Sequence, residues 1–232
     1  MPARPLLAAT LCALGLLVLL AGVLTGASQP IDELLMTAAF ADSVRGPLSF
    51  LRPLTELGST GVVTVIAVAM LPVGFAVRRI VQGAAAGLTI ALASVANTLV
   101  KLSVARERPD LVEPVVAAGG YSFPSGHAAL SMVAYGIVGV LIARTSLPAA
   151  VRVVTIAVLA IVVLGVGVSR VYLGVHYPTD VAAGWAAGGI VVAGFAWWTA
   201  RAARAEAAAE VLEEDARGSP PEHEPSGAGQ PR

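Results

Sequence analysis

Three short stretches of this chain gather residues that can move a proton or hold an anion: KLSVARERP at 101–109, YSFPSGH at 121–127 and SRVYLGVHYPTD at 169–180. In the second, Ser125 and Gly126 would present backbone N–H groups at the start of a helix, a ready anion site, with His127 in the first turn beside them. Pro124 suits that first turn because its missing N–H is not needed there. In the third, Arg170 offers a planar donor fork that matches phosphate oxygens. His176 and Asp180 stand four residues apart with Pro178 between them, so no regular helix is expected through both. Asp180 could accept a hydrogen bond from the His176 ring and raise the basicity of its other nitrogen. It could also simply cap or begin the helix that follows. In the first stretch, Lys101 and Arg108 lie seven residues apart. A helical extension puts both on one face, turns Arg106 elsewhere, and ends at Pro109.

Each stretch has an ordinary explanation taken singly: a lysine snorkelling at a helix end, a capping turn, a capping aspartate. Together they bring two of the chain's three histidines, an aspartate and several fixed cations to loops between apolar runs. That set meets the demand of phosphoryl transfer, in which positioning and charge stabilisation supply most of the catalysis.

The elements that must position these loops are membrane helices. Six apolar runs, roughly 6–24, 60–77, 82–100, 128–143, 153–168 and 181–199, follow one another along the 232 residues. A spanning helix needs about 20 mostly apolar residues, and the fourth and fifth runs reach that length only with their flanks. Charged residues make up 13% of the chain and mean hydropathy is +0.80, which excludes an ordinary soluble domain. Abundant Gly, Ala and Val within the runs suit close helix packing in lipid. Zero net charge and the absence of a basic, aromatic-interleaved patch exclude nucleic acid as a partner. The one cysteine, Cys12, lies in the first run and forms no intramolecular disulfide.

The first run is longer than a signal-peptide core and reads as a retained helix, with a cleaved signal as the alternative. Within 25–59, Ile31, Leu34, Leu35 and Ala38 fall at helical spacing, so this segment is either an interfacial helix or a connector on the outer side. Residues 1–204 form the six-helix domain. The tail, 205–232, begins as an extension of the last helix; beyond Ala216 its Pro, Gly and Glu content predicts disorder, and His223 there is expected to be inert. Arg4, Arg78, Arg79, Arg144, Arg152, Arg201 and Arg204 flank one side of the membrane; Arg45, Arg52, Lys101, Arg106, Arg108 and Arg170 flank the other. If Lys101, Arg108 and Arg170 serve an anion and are discounted, the bias places the three chemical loops outside the cytoplasm.

The ordered pattern Lys-x6-Arg-Pro, Pro-Ser-Gly-His and Ser-Arg-x5-His-x3-Asp resembles the type 2 phosphatidic acid phosphatase superfamily, with no residue missing. The match runs from the third helix through the sixth. The resemblance implies an all-α, six-transmembrane-helix bundle with its active site at the outer membrane surface. It implies His176 as the nucleophile that forms a phosphohistidine, Asp180 as the group that orients it, and His127 as the general acid for the leaving oxygen. It implies Lys101, Arg108, Ser125, Gly126 and Arg170 as the phosphate-binding set. No metal or other cofactor is expected, since the cations already supply the charge.

The expected function is therefore hydrolysis of a lipid phosphomonoester or diphosphate in the cell membrane. Candidates that the family suggests are phosphatidic acid, phosphatidylglycerol phosphate and undecaprenyl pyrophosphate or another polyprenyl pyrophosphate. Soluble vanadate-binding haloperoxidases share the family, but six spanning runs argue against that branch. The alternative class is a non-catalytic lipid-phosphate transporter or scaffold, which needs cations for a head group but neither a nucleophile nor an acid.

Overall fold

The computed structural model describes residues 3–41, 48–111, 116 and 118–218; disorder is expected beyond Ala216, but Arg217 and Gly218 still belong to the last helix, while residues 219–232, with His223, and the flanking Arg45 lie outside the described residues. All regular structure among the described residues is helical: α1 Ala3–Leu24, α2 Gln29–Ala41, α3 Leu48–Glu56, α4 Thr60–Ala76, α5 Ile80–Val104, α6 Gly126–Ala143, α7 Ala149–Tyr172 and α8 Pro178–Gly218. Six helical segments among them are long and apolar enough to cross a membrane, and they coincide with the six apolar runs. The protein is an all-α membrane bundle.

The helix α6 is the axis of that bundle. Its 18 residues span about 27 Å, just short of the hydrocarbon thickness. It packs on α4, α5, α7 and α8, and Ala128, Leu130, Val133, Ala134 and Ile137 are buried. The weak length signal of the fourth apolar run reflects this interior position: the helix answers to protein neighbours on most sides. Val63, Ala86, Ile90 and Phe195 close the core around it. Leu11, Leu17, Val68, Leu92, Val154 and Ile161 on the outer helices point outward, as a lipid-facing surface requires.

Two glycines one turn apart set the distance between α6 and α8. A Cβ at Gly184 would lie 2.7 Å from the Ser125 carbonyl oxygen, and one at Gly188 would lie 2.8 Å from that of Ala129. This small-x-x-x-small contact lets the two backbones touch. It brings the start of α8 against the start of α6, where the Ser125 N–H donates to the Asp180 carbonyl at 2.9 Å. The second and third chemical stretches are thereby joined through the main chain.

The segment after α1 is helical, as its periodicity indicated. Ile31, Leu34 and Leu35 on α2 are exposed, while Asp32 and Met36 on the other side are buried. The short α3 packs on α7 and was not foreseen from the pattern. The first helix lies along α8, with Cys12 facing Gly189. The last helix runs through 204–205 without a break.

Candidate active site

The helix α5 stops earlier than the sequence suggests. Its last residue is Val104, and Ala105 takes a left-handed cap with φ 51°, donating to the Lys101 carbonyl at 2.9 Å. The helical extension expected for 101–108 does not form, so residues 105–110 leave the helix and wrap across the end of the bundle. Lys101 and Arg108 still converge, but through this loop rather than through helical phasing. Lys101 Nζ donates to the carbonyls of Tyr121 (2.8 Å) and Ser122 (3.2 Å). Arg108 donates to the carbonyls of Gly119 (2.8 Å), Gly120 (3.0 Å) and Val175 (2.6 Å). The two cations thus tie the first stretch to the second and third.

Pro124 also sits differently: it precedes the helix that begins at Gly126, with Ser125 at the N-cap. The Ser125 N–H is already spent on Asp180, and its hydroxyl makes no capping bond and has no partner despite being fully buried. The first intrahelical bond runs from Ala129 N–H to the Ser125 carbonyl. The N–H groups of Gly126, His127 and Ala128 come before it, the orphan donors of a helix start. A Cβ on Gly126 would lie 3.2 Å from Asn97 Nδ2 and 3.8 Å from Lys101 Cε. Only hydrogen fits there without narrowing the space under Lys101.

One cavity of about 360 Å³ is lined by Lys101, Arg108, Gly126, His127, Arg170 and His176, together with Asn97, Ser94 and Thr60 among others. Six of the eight residues singled out in the sequence therefore share one space. Ser125 and Asp180 are buried and are not among the residues that line it. His176, also buried, turns its ring so that Nε2 lies 3.3 Å from Arg108 Nη1 while Nδ1 lies 3.5 Å from Asp180 Oδ2. Burial holds the His176 pKa down to about 4, against the Asp180 carboxylate that favours the imidazolium, so the ring is neutral near pH 7. A neutral imidazole with Nδ1–H directed at Asp180 keeps a lone pair on Nε2.

The cations of the cavity differ from the fourth one nearby. Among the described residues, Lys101, Arg108 and Arg170 have no carboxylate within ion-pair distance, whereas Arg106 has two. Arg170 is buried, donates to Thr55 Oγ1 at 2.9 Å, and leaves its Nε without a partner. Burial lowers the Arg108 pKa, partly offset by Asp180. Unpaired buried cations and orphan donors are costly unless an anion completes them.

Arg106 is turned away from the cavity, as its position suggested, but into a role that sequence reasoning missed. Its Nη1 donates to Asp180 Oδ1 (2.7 Å) and its Nη2 to Asp32 Oδ2 (2.8 Å). Burial alone would lower its pKa; the two carboxylates overcome that and hold it above the ordinary value. Asp180 Oδ2 in turn accepts a short hydrogen bond from the Ser122 hydroxyl and one from the Tyr177 N–H at 2.9 Å. Asp32, Thr55 and Ser122 were all overlooked. Ser122 lay inside a quoted stretch, whereas Asp32 and Thr55 carry no local signal beyond their polarity in apolar surroundings.

Residues 82–204 match the family model of the PAP2 superfamily. Phosphatidylglycerophosphatase B of Bacillus subtilis is 32% identical over 176 residues, covering 74% of this chain and 85% of that protein. The chain belongs to the PAP2 superfamily. A second PAP2 relative, the decaprenylphosphoryl-5-phosphoribose phosphatase of Mycobacterium tuberculosis, is 33% identical over 154 residues, 63% of this chain and 77% of that one. The crystal structure of a transmembrane PAP2-type phosphatidylglycerolphosphate phosphatase from Bacillus subtilis superposes with a TM-score of 0.76 at 27% identity, covering 83% of this chain and 96% of that one. Aquifex aeolicus LpxE shares the fold, with a TM-score of 0.53, 22% identity and coverage of 70% of this chain and 92% of that one. This PAP2 chain is an enzyme of the lipid phosphatase class, embedded in a membrane, which sets aside the transporter or scaffold alternative.

Proposed function

We propose that this PAP2 protein hydrolyses the terminal phosphate of a membrane lipid through a phosphohistidine on His176. The observation that carries the reading is the orientation of that ring: Nδ1 toward Asp180, Nε2 toward Arg108 and the cation-lined cavity. In the first step the Nε2 lone pair forms a bond to phosphorus while the bond to the lipid oxygen breaks. His127, on the cavity wall, delivers a proton to that departing oxygen. Water then attacks the phosphohistidine, His127 takes the water's proton, and inorganic phosphate and neutral His176 are released. Lys101, Arg108, Arg170 and the first-turn N–H groups hold the phosphoryl oxygens as charge gathers on them. Gly126 shapes this cradle by leaving room, and Ser125, buried behind it, stands at the N-cap of the helix whose first-turn N–H groups face the anion.

A lipid substrate is supported by what adjoins the cavity. An apolar groove of about 490 Å³ runs between α4 and α5, lined by Val63, Ala67, Leu71, Gly87 and Leu88, and it shares Thr60 and Ser94 with the polar cavity. A head group in the cavity could leave its tail in that groove. The two curated relatives are named as phosphatases of a glycerophospholipid and of a polyprenyl-linked sugar phosphate. A lipid phosphomonoester is therefore the first substrate class to try, with polyprenyl pyrophosphate as the second. We place the site on the extracytoplasmic face. Discounting the cavity cations, and also Arg106 because it is committed to Asp32 and Asp180, leaves Arg45 and Arg52 against seven arginines on the opposite side.

The test is phosphate release by purified protein in detergent from phosphatidic acid, phosphatidylglycerol phosphate and undecaprenyl pyrophosphate. It is combined with rapid quenching of a substrate labelled in the terminal phosphate. An acid-labile label on the wild-type chain that is lost in His176→Ala is the expected result. Turnover of every lipid phosphate by His176→Ala at the wild-type rate would refute the covalent route.

A further inference from the structure

The carboxylate of Asp32 is fully buried, yet it belongs to α2, outside the region that matches the family model. Every acceptor position it uses faces the catalytic loop. Oδ1 accepts the Thr179 N–H at 3.0 Å; Oδ2 accepts the Thr179 hydroxyl at 2.6 Å and Arg106 Nη2 at 2.8 Å. Arg106 passes the connection on, its Nη1 meeting Asp180 Oδ1 at 2.7 Å and its guanidinium lying 4.2 Å over the Tyr177 ring. Gln29, one turn before Asp32, adds an acceptor for Arg106 at 3.3 Å and a donor to the Tyr177 hydroxyl at 3.3 Å.

We infer that Asp32 is a positioning residue for the reaction: through Arg106 it fixes Asp180 against His176 and keeps the Asp180 charge available to that ring. The inference rests on the His176 mechanism proposed above. Its physical basis has two parts. Asp180 has two oxygens, and Arg106 anchors Oδ1 so that Oδ2 is the one presented to Nδ1 of His176. Arg106 anchored alone would also neutralise Asp180. With Asp32 on the far side, the row carboxylate–guanidinium–carboxylate keeps one net negative charge, and that charge faces the histidine. Removing one member of a buried ionic row leaves its neighbour uncompensated, so the row acts as a unit. Both carboxylates are fully buried and the Arg106 side chain is only 10% exposed, which limits screening by salt.

A purely structural staple between α2 and α8 would predict lower thermal stability with an unaltered rate per folded molecule. The positioning role predicts a split in the kinetics. In full-length protein in detergent, Asp32→Asn should lower kcat on phosphatidic acid, or on whichever lipid phosphate of the panel above turns over fastest, by about 10–100-fold with KM little changed, the scale seen when partners behind a reacting group are lost. Because Asp32 acts through Asp180, Asp32→Asn combined with Asp180→Asn should be no slower than Asp180→Asn alone, within about two-fold. Independent, multiplying losses would overturn the inference, as would a folded Asp32→Asn protein with wild-type kcat. An Asp180→Asn protein that keeps full kcat would instead strike the His176 mechanism itself. Should Asp32→Asn fail to fold, Asp32→Asn/Arg106→Gln removes both charges of the pair and takes its place. Wild-type kcat there, or failure of that protein to fold as well, would assign Asp32 to the fold alone.

Discussion

Arg108 Nη1 lies 3.3 Å from Nε2 of His176, and the same guanidinium is held on the carbonyls of Gly119, Gly120 and Val175. A permanent cation beside a buried imidazole opposes a second proton on that ring, in the same direction as burial. The neutral state has a measurable consequence. With the folded pKa near 4 and the unfolded value near 6.5, the unfolded chain binds the extra proton first as pH falls. His176 therefore removes stability between about pH 6.5 and pH 4, and the loss is complete only below the folded pKa. A His176→Gln protein lacks this term. The difference in unfolding free energy, wild type minus His176→Gln, should fall as pH is lowered from 7 to 4.5, on the order of 1–3 kcal/mol in all, and the Tm difference should fall with it. A constant difference across that range would mean that His176 is not buried in its neutral form.

His127 lines the cavity, where its ring can meet a leaving oxygen. General acid catalysis contributes about 10²–10⁴-fold, and only where the leaving group needs the proton. His127→Ala should slow hydrolysis of a lipid alkyl phosphate by that order, while an activated aryl phosphate loses far less. Equal losses on the two substrates would remove His127 from the acid role.

Arg170 offers a contrast between function and stability. It is buried with an orphan Nε and no carboxylate within ion-pair distance among the described residues. Replacing such a cation by an apolar side chain of similar length removes an uncompensated charge. Arg170→Met should match or exceed the wild-type Tm in the absence of substrate, yet raise the inhibition constant for inorganic phosphate by about 10-fold or more, the worth of a charge-assisted bond to phosphate. A large fall in Tm with unchanged phosphate inhibition would make Arg170 a structural residue.

How these residues could be read from the sequence, and where reading failed, follows from the range of the forces involved. Lys101, Arg108, His127, Arg170, His176 and Asp180 stood out because a polar group between apolar runs needs a local reason. The six spans were visible because lipid imposes one constraint on about 20 successive residues. The end of α5 was not: helical spacing favoured continuation to Arg108, and only the left-handed turn at Ala105 breaks it. Arg106 could be turned away from the cavity on paper, but its partners Asp32 and Asp180 are 74 positions distant on either side. Asp32 carries no such signal, because its burial depends on the packing of α2 over the α7–α8 loop.

Sidedness can be tested on positions that leave the site intact. Glu107 is exposed in the loop after α5, next to the cavity cations, and Ser146 is exposed in the turn between α6 and α7. The six spans put these two loops on opposite faces of the membrane. Cys12, the one native thiol, lies within α1 and is first changed to alanine. On that background Glu107→Cys should react with a membrane-impermeant maleimide in intact cells, and Ser146→Cys only after lysis. This expectation follows from the arginines at the α4–α5 and α6–α7 turns, Arg78, Arg79, Arg144 and Arg152, which none of the cavity chemistry requires. Labelling in the reverse pattern would place the catalytic loops in the cytoplasm. Arg108 and Arg170 would then count toward the positive side, and the substrate would be sought among lipids of the inner leaflet.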